Sequence, residues 1–222
     1  MTVPSPGRIL EMVRDQGFGA SCRLALHRAH AAYWERRLGI HTIGSHALAS
    51  EGIVSPDSLD YSPESYLDFQ RAMKWLSPPE RRGAFVDCGS GKGRIVLQAA
   101  RYAFRRVIGV ELSPILSRIA ALNLEAARSR LRCRDVEFVT LDAGRYEFAS
   151  DTTCVFLYNP FGGAVLAAVL EHLRESLQRA PRPLALIVAT PDRAERALAG
   201  ATWIRNAAEF HGLRRHVLFR TP

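Results

Sequence analysis

From residue 84 onward, short apolar runs alternate with longer stretches in which apolar positions recur every three or four residues. The runs at 84–88, 106–111, 136–141, 153–158 and 184–189 read as strands. Val155-Phe156-Leu157 is continuously apolar, as a strand covered on both faces must be. The stretches at 93–102, 114–129, 164–179 and 193–198 read as helices, the second with Ile115, Ile119, Leu122 and Ala126 on its apolar face. Two final runs, 203–210 and 214–220, flank His211-Gly212 and suit a hairpin. Strands alternating with helices predict an α/β fold: a doubly wound, seven-stranded, mostly parallel sheet covered on both faces.

The part before residue 84 is different. Residues 8–15 and 21–38 read as helices, with Leu24, Ala31, Tyr33, Trp34 and Leu38 as candidate buried positions, and 39–56 reads as loop. A further helix is expected after Ser62-Pro63-Glu64. Ser62 would cap it, Pro63 would occupy its first position and Glu64 would complement its dipole. Tyr66, Phe69, Met73 and Leu76 would line its buried face until Ser77-Pro78-Pro79 ends it. The chain therefore divides into a helical N-terminal extension, 1–60, and one α/β domain, 61–222.

Composition narrows the class. With 222 residues and 47% hydrophobic content the chain can bury a full core, and no apolar run approaches the roughly 18 residues of a membrane span. The N-terminus lacks the apolar block of a secretory signal, and Glu11, Asp15 and Glu35 interrupt what would otherwise resemble an Arg-rich transit peptide. A cytoplasmic protein with no membrane partner is expected. Cys22, Cys88, Cys133 and Cys154 are far apart and read as buried free thiols, not zinc ligands. His27 with His30, and His41 with His46, lack a third ligand, so no metal site is expected. The net charge is +8, but 28 of the 30 basic residues are Arg, and they are scattered singly or in pairs. That pattern suits a solvated face better than a nucleic-acid groove.

Chemistry concentrates just after the strands, where ligands of a parallel sheet bind. The first motif is Asp87-Cys88-Gly89-Ser90-Gly91-Lys92-Gly93. Its glycines permit a tight turn and close approach of a ligand to the backbone, and the following helix start offers free N–H groups. A P-loop would need a glycine where Val86 stands and Ser or Thr where Gly93 stands, so that reading fails. A dinucleotide fingerprint needs Gly-x-Gly-x-x-Gly, whereas the spacing here is Gly-x-Gly-x-Gly. The Asp87 carboxylate would also repel a pyrophosphate, while it suits a cationic ligand. Glu111-Leu112 closes the second strand, where a carboxylate can accept from two neighbouring ribose hydroxyls. Asp142-Ala143 follows the third strand, and Asn159-Pro160-Phe161 follows the fourth.

Asp-x-Gly-x-Gly-x-Gly at 87–93 resembles the first motif of class I S-adenosylmethionine (SAM)-dependent methyltransferases, and the resemblance extends from Tyr61 to the C-terminus. It implies a class I methyltransferase fold with SAM as cofactor. Asp87, Gly89, Ser90, Gly91 and Gly93 would form the cofactor loop. Glu111 and Leu112 would meet the ribose, Asp142 and Ala143 the adenine, and Tyr61 would fold over the cofactor. Asn159-Pro160-Phe161 resembles the Asn-Pro-Pro-Tyr/Phe motif of amine- and amide-modifying methyltransferases, with the second proline absent. Asn159, which would also reach the cofactor, and Pro160 and Phe161 thus become the candidate catalytic residues. The loop and the following Gly-x-Glu-Leu-Ser are similar to small lysine-type protein methyltransferases. A nitrogen acceptor on a protein is therefore expected first, RNA, DNA or a small molecule second, and a SAM-binding module without chemistry last.

Overall fold

The computed structural model describes residues 18–53, 59–159 and 161–221. Seven strands form one sheet, flanked by six helices among the described residues. Helix α1 is Phe18–Leu38 and α2 is Tyr66–Met73. Then follow β1 (Ala84–Cys88), α3 (Arg94–Ala99), β2 (Arg106–Glu111), α4 (Pro114–Ala127), β3 (Val136–Thr140) and β4 (Thr152–Tyr158). The chain closes with α5 (Gly163–Arg179), β5 (Ala185–Ala189), α6 (Glu195–Gly200), β6 (Arg205–His211) and β7 (Arg215–Arg220). The sheet order is β3-β2-β1-β4-β5-β7-β6. The pairs β1·β2, β1·β4, β2·β3 and β4·β5 are parallel, and β7 is antiparallel to both neighbours. The predicted α/β class, strand count and closing hairpin all appear.

The order is doubly wound. From central β1 the chain steps outward through β2 and β3, then returns to build β4 and β5 on the other side, so the switch point lies between β1 and β4. Alternate side chains divide the core. Phe85, Phe156, Ile187 and Leu218 join Phe69, Met73 and Leu97 on one face, while Val86, Val155, Leu186 and Val188 join Leu166, Val169 and Leu173 on the other. Each such side chain contributes roughly 1.5–3 kcal/mol of burial.

Several local expectations change. Helix α2 begins at Tyr66, not near Ser62, because Ser65 accepts the Asp68 amide at 3.1 Å and becomes the cap. The Glu64 carbonyl is already committed to Arg94, at 2.8 Å, which holds the preceding residues out of the helix. The helix also ends earlier, at Met73, although Leu76 remains buried. The buried stripe of α4 is not the expected one. Leu116, Ala120, Leu124 and Ala127 face the core, whereas Ile115 and Leu122 are 48% and 66% exposed. Both stripes have helical spacing; Asn123 selects one by bonding the His41 amide and the Lys92 carbonyl at 2.9 and 3.0 Å. In α1, Ala31 and Leu38 are buried, Leu24 and Trp34 half-buried, and Tyr33 is exposed. Cys22 is exposed too, while the other three thiols are free and buried. The expected helix at 8–15 and the end of the 39–56 loop lie outside the described residues.

Glu35 is buried instead of Tyr33. Its carboxylate accepts the Thr42 amide at 2.9 Å, the Thr42 and Tyr66 hydroxyls, and the Arg94 guanidinium at 3.3 Å. Arg94 also stacks over Tyr66, 4.5 Å from the ring centroid, and donates to the Thr42 hydroxyl at 2.7 Å. This knot ties α1 to the start of α3. Removing one partner of a buried ion pair leaves the other charge uncompensated, at about 3–5 kcal/mol. Glu35→Ala should therefore lower the urea unfolding free energy by about that amount. The double variant Glu35→Leu with Arg94→Met should recover most of the loss; a full loss in both would contradict the charge explanation.

Candidate functional site

The carboxyl ends of the strands open into a cleft of about 200 Å³. Its wall includes Tyr61, Asp87, Gly89, Ser90, Gly91, Glu111, Leu112, Asp142, Ala143, Asn159 and Phe161, which the sequence distributes over 101 positions. Gly93 is the exception: it is not part of the wall. Its φ is +81°, and an added Cβ would lie 2.6 Å from Phe138 and 3.1 Å from Ala120. Packing beneath the loop, not ligand approach, requires glycine there. Gly89 is the converse case. At φ +85° it has the left-handed backbone, and no atom lies within 4 Å of a Cβ built on it. Pro160 lies outside the described residues.

The loop is held open by the end of β2. One Glu111 oxygen accepts the Gly91 amide at 2.7 Å and the other the Ser113 amide at 2.9 Å. The Gly89 and Ser90 amides bond the Val110 carbonyl at 2.8 and 3.0 Å. Tyr61 packs its ring against Gly91, and its hydroxyl donates to the Thr42 carbonyl at 2.6 Å. A short bridge to His46 fixes the Tyr61 backbone. Asp142 turns back to accept the Gly144 amide at 2.9 Å, capping the turn that carries Ala143. Ser90 Oγ is buried without a hydrogen-bond partner among the described residues.

Acid dominates this cleft. Asp87 and Glu111 are 2% and 6% exposed. Burial pushes the Asp87 carboxyl well up, with Glu111 and Glu64 adding like-charge repulsion. Burial also raises Glu111, against the amides that hold its charged form. Glu64, expected at a helix start, instead lines the cleft, and burial pushes it up to about 8. Sequence reasoning missed it, although its neighbour Tyr61 marked the segment. Arg94, also on the wall, is committed to the Glu35 knot. A buried cluster of carboxylates, a glycine open to the cavity and an orphaned hydroxyl together suit a cationic ligand with polar groups.

At the end of β4, Asn159 has φ +44°, a left-handed backbone that Asn tolerates better than most residues. Its amide bonds the Ala189 carbonyl at 2.9 Å, which fixes the turn against β5. Phe161 is half-buried and packs on the second core cluster.

The family model for the histone methylation protein DOT1 matches residues 78–158, the span from before β1 to the end of β4. An RNA methyltransferase from Salinibacter ruber, solved with S-adenosyl-L-homocysteine, superposes with TM-score 0.52 at 23% identity. The match covers 72% of this chain and 94% of that one. The chain has the class I SAM-dependent methyltransferase fold. A SAM-dependent methyltransferase from Aquifex aeolicus matches this fold with TM-score 0.51 and 14% identity, over 70% of this chain and 90% of that one. Magnesium protoporphyrin IX methyltransferase from Synechocystis, with bound S-adenosyl-L-homocysteine, matches with TM-score 0.50 and 16% identity, over 70% and 81%. No curated protein matches in sequence. Among the described residues no helix is long and apolar enough to cross a membrane.

The raised carboxyls make a stability test. Above the ordinary carboxylate range near pH 4, the folded protein retains protons that the unfolded chain has released. Stability should therefore fall as pH rises through that window, up to about pH 8 where Glu64 ionises. Asp87→Asn removes one contributor. It should raise the melting temperature of the ligand-free protein at pH 8 by a few degrees and change it little at pH 4. Equal effects at both pH values would show that Asp87 is not held protonated.

Proposed function

We propose that this SAM-dependent methyltransferase modifies a nitrogen atom, and that the nitrogen belongs to a protein. As such an enzyme it needs no obligatory acid–base pair. The sulfonium supplies an electrophilic methyl group with a neutral leaving group, and the chain must align the acceptor and exclude water. Asp87 would face the cationic part of the cofactor, Glu111 and Leu112 the ribose, and Asp142 and Ala143 the adenine. Gly89, Ser90 and Gly91 would let the backbone close on it, with Gly93 setting the turn and Tyr61 as cover. Residues 61–222 would form the catalytic domain and 1–60 an N-terminal extension that covers its cleft or forms a dimer contact.

The observation that carries the nitrogen reading is Asn159. It stands at the end of β4 in a left-handed backbone and lines the same cleft as the acids. A non-glycine residue held in the left-handed region at a strand end persists where surrounding structure imposes it, and such residues cluster at active sites. Its carbonyl and side-chain oxygen can accept N–H groups and turn a nitrogen lone pair toward the methyl carbon. Pro160 would fix that carbonyl, and Phe161 would pack against the acceptor. The DOT1 match supports a protein acceptor. An RNA acceptor is the second reading, favoured by the +8 net charge and the Salinibacter neighbour.

Transfer from methyl-tritiated SAM in cell extract, followed by separate nuclease and protease digestion, identifies the labelled polymer. Protease-sensitive label is expected, and nuclease-sensitive label would replace the protein reading with the RNA one. Asn159→Ala should lower turnover by roughly 100-fold or more while SAM affinity, measured by calorimetry, changes by less than about threefold. Turnover that survives the substitution would remove Asn159 from the mechanism.

A further inference from the structure

The cofactor reading uses Asp87, Glu111 and Asp142, which lie at the ends of β1, β2 and β3, so the cofactor would extend from β1 toward one edge of the sheet. The strands on the other side of β1 are β4, β5 and β7, and the acceptor would lie over these. A second polar group sits on that side. Asp87 and Phe156 are register partners, as are Tyr158 and Ala189, and Ala189 and His216. Phe156, Tyr158 and Ala189 belong to the core on one face, and His216 follows the parity of Leu218 on that face. Glu64 lies over this row: it lines the cleft, raises Asp87 by its charge, and its Oε2 is 3.6 Å from His216 Nε2.

Both of those atoms are buried, and neither has a hydrogen-bond partner among the described residues. Glu64 and His216 are 3% and 0% exposed. The imidazole is rigid. It stacks on Phe210 with centroids 4.6 Å apart and planes 9° from parallel, and its Nδ1 lies 3.1 Å from the Arg214 carbonyl. A carbonyl can only accept, so Nδ1 carries the proton and neutral His216 turns an Nε2 lone pair toward Glu64. The other Glu64 oxygen accepts the Ser65 amide. A buried carboxylate facing a lone pair gains a hydrogen bond when it takes up a proton, which favours it as a proton acceptor. Buried polar atoms left without partners need a reason, and a proton transfer supplies one.

We propose that Glu64 is a catalytic base that takes the proton from the acceptor nitrogen, with His216 as its positioning residue. This rests on the nitrogen-acceptor reading above and adds the substrate class: an alkylammonium such as the lysine side chain. The acceptor R–NH3+ gives one proton to the Glu64 carboxylate. The freed lone pair of R–NH2 then forms the N–C bond as the S–C bond of the sulfonium breaks, its electron pair remaining on sulfur. The products are R–NH2+–CH3 and a neutral thioether. The proton on Glu64 is held by a hydrogen bond to His216 Nε2, which requires the 3.6 Å gap to close by several tenths of an ångström. It leaves to water once the product has left the cleft. The charged and titratable groups around Glu64 are Asp87 on β1, Asp68 on α2, Arg94 on α3, and Arg214 and His216 on the hairpin. Asp68 is engaged by the Leu213 amide at 2.8 Å, and Arg94 by the Glu35 knot. Neither is free to take the acceptor's proton.

The test compares pH–rate profiles of protein methylation in extract, using methyl-tritiated SAM, for the wild type, Glu64→Gln and His216→Phe. Glu64→Gln should be slower by at least 100-fold at pH 7 and by less than about tenfold at pH 10, where a lysine-type amine with pKa near 10.4 is substantially deprotonated without help. Its SAM affinity should stay within about threefold of wild type, which also reports that it is folded. His216→Phe keeps the stack on Phe210 and should displace the acidic limb of the profile while slowing the reaction by less than Glu64→Gln does. An unchanged Glu64→Gln profile overturns the proposal. So does a loss that is equal at every pH, or one that follows SAM affinity. Wild-type label in RNA alone, or no label, overturns the acceptor reading instead, and this proposal with it.

Discussion

Carboxylates at the end of a parallel sheet are the constraint on which the site depends. Asp87, Glu111 and Glu64 come from three separate segments and meet in one buried cleft. The neighbouring cation, Arg94, spends its charge on Glu35. Such a cluster is unfavourable by itself, since burial and mutual repulsion both disfavour ionisation. The fold tolerates it because backbone amides hold Glu111, and because burial raises the affinity of Asp87 and Glu64 for a proton. A pyrophosphate would add to the repulsion in this cleft, while a ligand carrying positive charge would relieve it.

The scaffold around the cluster is built to hold it still. Glu111 joins the β1 loop to the start of α4 through two amides. The Glu35–Thr42–Tyr66–Arg94 knot joins α1, the following loop, α2 and α3. Asp68 fastens α2 to the hairpin turn. These contacts span long sequence separations, so cleft geometry and global stability are coupled. The residues before β1 belong physically to the site's support, since Leu38 and Ile40 share a core with Phe69 and Phe85. The fold leaves the acceptor open, because similar sheets carry methyltransferases named for RNA and for a porphyrin.

Much of this was legible in the chain. Strand limits at 84–88 and 106–111 follow from apolar runs bounded by charge and glycine, and both appear unchanged. That the glycine loop, Glu111 and Asp142 meet in one cleft follows from their spacing behind those strands, because a parallel sheet places every strand's carboxyl end on one side. The phase of α4 was not legible. Its two stripes are equally apolar by period, and only Asn123 meeting backbone from 41 and 92 decides between them. Gly93 was legible as a required glycine but not as a packing one, since Phe138 lies 45 positions away.

What the sequence determined by itself is local and periodic: which segments are strands, which are helices, and which strand ends carry acids. Those properties depend on residues within a few positions of each other. The tertiary structure alone decided which polar groups are buried together. Glu35 reads as a surface residue of a helix until Arg94 meets it, and Glu64 reads as a dipole partner until the chain is held extended along the cleft. His216 reads as one histidine in a closing strand until β7 inserts beside β5 and sets it against Glu64. Desolvation and charge pairing act through space and fall off over a few ångströms, so no pattern along the chain encodes them.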